Sequence, residues 1–159
     1  NSYKRRCVVD NREFRINLQA VSDIPGDYLP GFVGMHGQLR RGDMYMLVYS
    51  ITSRASFTRV TRYPNQILQW KDKSAYPMLI VRNHAEQGQR REVSTQEGIA
   101  LARETGCHIC EISADYPDHL QEAFLDLVRA RWRYEDQKYL RIRGYEDAIT
   151  YEHLKAFIL

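Results

Sequence analysis

The sequence predicts an α/β fold with a largely parallel sheet, because two short apolar runs alternate with segments of helical patterning. Met78–Val81 is continuously apolar and follows a proline, and Met44–Ile51 is a second mostly apolar run. Strands that are apolar on both sides of the pleat are typical of parallel sheets, which are covered on both faces. The 159 residues are one domain's length, and the 43% apolar content is that of a globular protein.

The first element is a predicted β-hairpin. The segment 4–9 leads into the turn formers Asp10 and Asn11, after which Phe14, Ile16, Leu18 and Ala20 alternate with polar residues. Alternation with a period of two predicts a hairpin with one buried face and one solvent-exposed face.

Helical segments follow the second and third strands. Thr52, Ser53 and Ser56 begin the first helix, and Pro64 predicts a kink or break within it because proline removes a backbone hydrogen bond. Ser94 or Thr95 is expected to cap the next helix, which Gly106 ends.

A last helix is predicted from a cap at Asp118 to about Gln137. Its apolar positions repeat with helical spacing and predict a buried stripe of Leu120, Phe124, Leu127 and Val128. Residues 138–159 form an extension beyond it, in which Tyr145, Ile149, Glu152 and Lys155 are compatible with a short helix.

Composition excludes several classes of function. The formal charge of +3 is close to balance and does not predict a nucleic-acid partner. No run of apolar residues is long enough to span a membrane, no apolar segment opens the chain, and three cysteines are an odd number, which together favour a reducing compartment. Cys107 and Cys110 lie an odd number of residues apart in a predicted strand, so they should point to opposite faces and bind no metal.

Two predicted strand ends carry polar motifs. The run Asn83-His84-Ala85-Glu86 follows the strand Met78–Val81, and Ser113-Ala114-Asp115 follows the apolar segment 107–112. In open α/β sheets a ligand binds beyond the carboxyl ends of the strands. Arg82, Arg90 and Arg91 flank the first motif and are interpreted as solvated surface charges.

These motifs resemble the guanine-reading half of the Ras-like small GTPases. In that family one strand ends in Asn-Lys-x-Asp and the next in Ser-Ala-Lys. Here Asn83, Ser113 and Ala114 match, whereas His84, Glu86 and Asp115 depart. The resemblance implies a guanine site, reduced in quality, formed by Asn83, His84, Glu86, Ser113 and Ala114.

The resemblance also covers the order of elements over residues 1–137, which we interpret as a partial Ras-like GTPase domain. It implies a three-layer α/β sheet of the P-loop GTPase type. The opening Asn1-Ser2-Tyr3 is similar to the end of the family's effector segment, so the first strand, the phosphate loop and the first helix have no counterpart in this sequence. No glycine here is followed by lysine, as a phosphate loop requires.

The sequence also contains a four-residue string that matches a phosphate-side motif of this family. Asp23-Ile24-Pro25-Gly26 reads as the family's Asp-x-x-Gly, in which Asp23 would hold the water shell of Mg²⁺ and Gly26 would meet the terminal phosphate. The same string is typical of a turn, and counting by strand alternation instead places Ala20 at the metal position.

The function expected from the resemblance is that of a degenerate or truncated small GTPase in intracellular signal transduction, with weak or absent GTP binding and no hydrolysis. The alternative is an active GTPase whose phosphate loop is missing from this sequence. GTP or GDP with Mg²⁺ is expected only through the resemblance. The expected partners are regulators or effectors of Ras-like signalling. A cytoplasmic location, peripheral at membranes through partners, is expected, and no lipid anchor, because no cysteine follows Cys110.

The resemblance raises a question about the sheet. The family's first strand lies between the counterparts of Phe14–Val21 and Met44–Ile51, so its loss would leave two unpaired edges. The strands could pair directly, the segment Tyr139–Ile142 could fill the gap, or a partner could add a strand. Direct pairing or a gap is the outcome expected for the structure of this chain, and aggregation or a bound partner is expected in solution.

Overall fold

The computed structural model describes residues 2–21, 37, 40–71, 73, 75–113, 116, 118–143 and 153–158, and of residues 2, 138–143 and 153–158 it describes the backbone. The strands are β1 (Ser2–Val9), β2 (Arg12–Ala20), β3 (Met44–Ser50), β4 (Met78–Asn83), β5 (His108–Glu111) and β6 (His153–Ile158). The helices are α1 (Arg54–Val60), α2 (Tyr63–Lys71), α3 (Thr95–Thr105) and α4 (Asp118–Arg143), with a 3₁₀ helix at Ala85–Arg90.

β1 and β2 form the predicted antiparallel hairpin. Asp10 and Asn11 connect the strands with φ angles of 49° and 63°. A two-residue hairpin turn needs this left-handed backbone, which Asp and Asn tolerate better than most residues. Phe14 is buried on one face, whereas Arg6 and Glu13 form an exposed ion pair at 3.0 Å on the other. The predicted division into a buried and an exposed face is confirmed for Phe14 and Ile16, whereas Leu18 is half-buried and Ala20 is exposed.

The parallel part of the sheet is also as predicted. β3 pairs with β4, and β4 with β5, all in parallel register. One face packs against α1, α2 and α3 through residues such as Tyr45 and Leu47, and the other face packs against α4 through residues such as Met44 and Met46. The molecule is therefore a three-layer α/β structure, with a separate core on each face of the sheet.

The centre of the sheet differs from the prediction. The strand order is β1-β2-β6-β3-β4-β5, so β6 lies between β2 and β3 and is parallel to both. The expectation of direct pairing or a gap is wrong. Two facing edges present rows of unpaired backbone donors and acceptors, and the chain satisfies them with its own late segment.

The segment that fills this position is not the one considered from the sequence. Tyr139–Ile142 lies in α4, which continues to Arg143 instead of ending near Gln137. Lys155 lies in β6 and not in a short helix. Tyr145, Ile149 and Glu152 lie outside the described residues.

The predicted starts and ends of the helices before α4 are confirmed. α1 ends at Val60 and α2 begins at Tyr63, which places Pro64 in the first turn of α2, where its missing N–H breaks no helical hydrogen bond. The Ser53 side chain caps α1 by accepting from the backbone N–H of Ser56. Ser94 caps α3, and Gly106 ends it in the left-handed conformation with φ of 66°.

Two members of the predicted stripe on α4 are not fully buried. Leu127 and Val128 are buried, but Phe124 is half-buried and Leu120 is 36% exposed. Leu120 lines an open groove between the hairpin and α4.

Cys107 and Cys110 lie as the alternation of side chains along a strand predicts. Cys107 packs against the core under α3, and Cys110 packs against the core under α4. The two thiols are therefore on opposite faces of the sheet, as predicted, and burial raises the pKa of the Cys110 thiol to about 11. In the described part of the chain, no group of His, Cys, Asp and Glu side chains could hold a metal ion. None of the helices described is both long enough and apolar enough to span a bilayer.

Candidate functional site

The carboxyl ends of β3, β4 and β5 meet at one edge of the sheet, where the polar motifs follow. The backbone N–H of Ile51 donates to the carbonyl of Asn83 at 3.1 Å. The N–H of Ile112 donates to the carbonyl of Arg82 at 2.8 Å, and that of Ala85 donates to the carbonyl of Ile112 at 3.1 Å. Backbone hydrogen bonds therefore hold the three connecting loops in fixed relation to one another.

Asn83 and His84 form the turn that leaves β4. The Asn83 Oδ1 accepts from the backbone N–H of His84 at 2.8 Å. His84 has φ of 65° and ψ of 39°, a left-handed conformation that is uncommon for a residue with a Cβ. The side-chain carbonyl of Asn83 is thus engaged by the chain's own backbone, and His84 is held where the 3₁₀ helix begins.

The His84 ring has a partner on β3. Its Nδ1 lies 2.8 Å from the Oγ of Ser50, and that oxygen is also 2.8 Å from the Oγ1 of Thr52. Ser50 was not predicted from the sequence, because it lies on another strand far along the chain. The signal that identifies it is register, since Ser50 lies directly opposite Asn83 in the β3–β4 pair.

Glu86 and Ser113 are the other described members of the predicted set. Glu86 is an exposed residue in the first turn of the 3₁₀ helix, and Gln87 Nε2 approaches its Oε1 at 3.5 Å. Ser113 follows β5, is half-buried, and accepts at its carbonyl from the N–H of Tyr116 at 3.1 Å. Ala114, Asp23 and Gly26 lie outside the described residues.

A partly buried ion-pair cluster lies behind this edge, and the sequence interpretation missed it. Glu111 at the end of β5 pairs with Arg91 at 3.0 Å, and its other oxygen lies 3.3 Å from the Nε of Arg82. The Arg82 side chain is only 11% exposed. The interpretation of Arg82 and Arg91 as solvated surface charges is wrong, because both are partly buried and share the Glu111 carboxylate as an ion-pair partner. Arg90 is exposed, as expected.

The cluster fits because α3 approaches the sheet closely at Gly98. A Cβ at this position would lie 2.5 Å from the hydroxyl of Tyr49 and 3.1 Å from Cδ of Arg82. Burial raises the pKa of Tyr49 to about 12, so its hydroxyl stays protonated. The floor of the site is therefore a packed layer in which β3, β4, β5 and α3 fix one another.

Known proteins similar to this chain point to one family. A family model described as the Ras family matches residues 30–132. A "Ras-like protein" of Laccaria bicolor is 39% identical over 137 residues, which cover 86% of this chain and 63% of that protein. The "Protein ras-1" of Neurospora crassa is 39% identical over 139 residues, which cover 87% of this chain and 62% of that protein. The chain thus spans less than two thirds of the length of these relatives.

Proposed function

This chain belongs to the Ras family of small GTPases, and we propose that it is a degenerate member that acts in intracellular signal transduction. In this proposal it binds GTP and GDP weakly and does not hydrolyse GTP. The observation that carries the proposal is the position of β6 between β2 and β3.

The position of β6 bears on nucleotide binding because another strand has this place in the family's fold. In the resembled fold the same place belongs to the first strand, which leads into the phosphate loop. A phosphate loop supplied by a longer chain would have to displace β6 to reach the sheet. The phosphate cradle and its metal provide much of a nucleotide's contact energy, so an occupied centre supports weak binding.

The base side of the site supports the same proposal. Guanine nucleotide with Mg²⁺ is the ligand that family membership implies. Asn83 Oδ1 and His84 Nδ1 already have hydrogen-bond partners within the chain. Glu86 is one methylene longer than the family's aspartate and would displace its paired contact with the guanine edge. These residues do not fit a tightly held guanine, and Asp23 and Gly26 are outside the described residues.

Isothermal titration of the 159-residue chain with GDP and GTP in the presence of Mg²⁺ tests the proposal. We expect dissociation constants weaker than about 1 μM. A submicromolar value would contradict the proposal, as would phosphate release from GTP that Asp23→Ala abolishes.

A restoring variant separates the two causes of weak binding. His84→Lys combined with Glu86→Asp recreates the family motif, and a recovered charged hydrogen bond is worth roughly 1.5 kcal/mol, or about tenfold in affinity. A tenfold gain would locate the weakness at the base side. No gain would locate it at the phosphate side, where β6 lies.

The alternative function is an active small GTPase whose phosphate loop lies outside this sequence. It is favoured by one observation, that the chain covers only 63% and 62% of the two relatives. The intact mass of the natural protein, or a longer transcript that encodes Gly-Lys-Ser upstream, decides between the two.

Protein partners are part of the proposal. Regulators or effectors of Ras-like signalling are the class that the family interacts with, and family membership is the support for proposing them here. We propose a cytoplasmic location, with membranes reached through those partners.

A further inference from the structure

Three polar side chains form a hydrogen-bonded network beside the turn that leaves β4. The Oγ of Ser50 lies 2.8 Å from the Oγ1 of Thr52 and 2.8 Å from the Nδ1 of His84. It also accepts from the backbone N–H of Thr52 at 3.2 Å. All three residues are half-buried. We refer to these three side chains as the hydroxyl–imidazole network.

The backbone fixes both ends of the contact between Ser50 and His84. His84 is left-handed, with φ of 65°, and its N–H donates to the Oδ1 of Asn83 at 2.8 Å. Ser50 lies opposite Asn83 in the β3–β4 pair, and its N–H donates to the Oγ of Ser56 at 3.0 Å. The hydroxyl and the imidazole therefore meet because two strands are paired in this register.

The available hydrogen atoms decide the direction of each contact in the network. A serine hydroxyl has one hydrogen and two lone pairs, and the N–H of Thr52 occupies one lone pair of Ser50. If Ser50 donates to His84, its second lone pair accepts the hydroxyl hydrogen of Thr52, and every hydroxyl hydrogen has an acceptor. If His84 donates to Ser50 and Ser50 donates to Thr52, the hydroxyl hydrogen of Thr52 has no acceptor among the described residues. The count therefore favours Ser50 as the donor to His84.

This direction determines which nitrogen of the His84 ring carries the hydrogen. A neutral imidazole has one N–H, and an Nδ1 that accepts a hydrogen bond places that hydrogen on Nε2. Within the part of the chain that the structure describes, Nε2 has no hydrogen-bond partner. The neutral ring of His84 therefore has one N–H donor to offer, and the contact with Ser50 restrains the orientation of that donor.

The donor on His84 differs in kind from the group that the family motif has at this position. The motif Asn-Lys-x-Asp has a lysine there, and its ammonium is a charged group with three hydrogens on a flexible stem. The neutral imidazole has a single N–H in a fixed direction and no charge. Such a donor selects a hydrogen-bond acceptor by its position, whereas an ammonium also attracts anions by its charge.

We propose that Ser50 is a positioning residue for His84, and that it fixes the neutral ring as an Nε2–H donor at the base side of the candidate nucleotide site. That this donor meets a nucleobase rests on the proposed function. The state of the ring is a property of the free chain, so the two can be measured separately.

Nuclear magnetic resonance of the full chain with isotope-labelled histidine measures the state of the ring. At about pH 8 an unperturbed imidazole is neutral, and long-range proton–nitrogen correlation distinguishes a protonated ring nitrogen from an unprotonated one. His84 is expected to show an unprotonated Nδ1 and a protonated Nε2. His108 and His119 are exposed and serve as references for a ring that exchanges between the two forms.

Three variants make the test specific to the Ser50 hydroxyl. Ser50→Ala should convert the His84 signals to the averaged pattern of the references, whereas Ser50→Thr keeps a hydroxyl and should retain the wild-type pattern. Thr58→Ala is the matched control, because the hydroxyl of Thr58 donates to the carbonyl of Arg54 at 3.0 Å on an exposed part of α1. It should leave the His84 signals unchanged. Circular dichroism of each variant checks that the fold is kept.

Titration with GDP and Mg²⁺, followed through the same signals, tests the role of this donor at the base side. We expect a saturable shift of the His84 Nε2 signal in the wild-type chain. Ser50→Ala should weaken binding about three- to tenfold, which is the loss expected for one neutral hydrogen bond, and Ser50→Thr should restore it.

A protonated Nδ1 in the wild-type chain would overturn the proposal, as would His84 signals that Ser50→Ala leaves unchanged. Equal GDP affinity of the wild-type and Ser50→Ala chains, or no response of His84 to GDP, would remove its role at the base side. A submicromolar dissociation constant for GDP would instead contradict the weak binding of the proposed function and leave the state of the ring as inferred. The two failures are therefore distinguishable.

Discussion

Gly98 sets the distance between α3 and the sheet. A methyl group there would lie 2.5 Å from the Tyr49 hydroxyl, 3.1 Å from Cδ of Arg82 and 3.2 Å from Cδ1 of Ile109. Tyr49 is 1% exposed, so its ring has little room to move away. The close approach therefore depends on the residue with no side chain, and the position of Arg82 beside Glu111 depends on it in turn.

Gly98→Ala is expected to destabilise the fold. Overpacking of this kind costs about 1–3 kcal/mol, and the better helix propensity of alanine offsets only about 1 kcal/mol of it. Urea unfolding measures the change in free energy. Gly88→Ala is the matched control, since a methyl group at that position would meet nothing within 4 Å. Tyr49→Phe should recover part of the loss in the Gly98→Ala background, and failure to do so would mean that another contact causes it.

At the residue scale, the sequence predicted the strand ends better than the side-chain contacts made there. Asn83, His84 and Ser113 follow strand ends as predicted, because an apolar run that stops at a polar residue is visible in one dimension. The Ser50–His84 contact and the pairing of Arg82 and Arg91 with Glu111 are cross-strand contacts. They depend on register, which a single sequence does not encode locally.

Among the elements, α3 shows the clearest relation between sequence and structure. Ser94 Oγ accepts from the N–H of Glu97, and Glu97 accepts in return from the N–H of Ser94 at 2.9 Å, which completes a capping box. Arg54 of α1 pairs with the same carboxylate. These hydrogen bonds hold the pKa of Glu97 at about 2, with the Arg54 contact as the first cause.

This depressed pKa predicts an acid-sensitive helix start. Because the folded-state pKa lies below the usual value of 4.5, the contribution of Glu97 to stability is fully present above about pH 4.5 and disappears as the pH falls through about 2. The wild-type chain should be more stable than Glu97→Gln at pH 7, and the two should converge towards pH 2. Thermal unfolding at several pH values measures this, and a difference that stays constant with pH would contradict it.

The elements differ in how far local sequence determines them. The hairpin turn at Asp10 and Asn11, the break before Pro64 and the cap at Ser94 all follow from the chemistry of one or two residues, and the structure has each of them. The end of α4 carries a local signal that the sequence interpretation overlooked, since Gly144 directly follows its last residue, Arg143. The identity of β6 does not follow from local sequence, because it depends on pairing with β2 and β3.

For the whole molecule, β6 is the element on which the sheet depends. It pairs with β2 over Arg15–Ala20 and with β3 over Met44–Met46, and in the described sheet it alone links the hairpin to the parallel strands. The overall class was predictable from the apolar runs of β3 and β4. The central strand was not, since its partners lie at the opposite end of the chain.

Ala156→Pro tests the position of β6. Proline lacks the N–H that a central strand donates, so it should disrupt the pairing with Leu18 and Met44. Hydrogen exchange should become faster across Arg15–Ala20 and Met44–Met46, while amides in β4 and β5 keep their protection. Ala156→Ser is the control and should leave exchange unchanged. Equal exchange in the proline variant and the wild-type chain would show that β6 does not hold this place in solution.

The central place of β6 has a consequence for the order of folding. The pairing of Arg15 with His153 closes almost the whole chain into one loop, and the entropy of closing such a loop must be overcome before its contacts form. During synthesis the hairpin and the β3–β5 unit are complete in sequence before β6 has been made, and each then presents an open edge. We therefore expect the hairpin and the β3–β5 unit to form before β6 joins them. In that interval both open edges are exposed, and the newly made chain is most prone to aggregate.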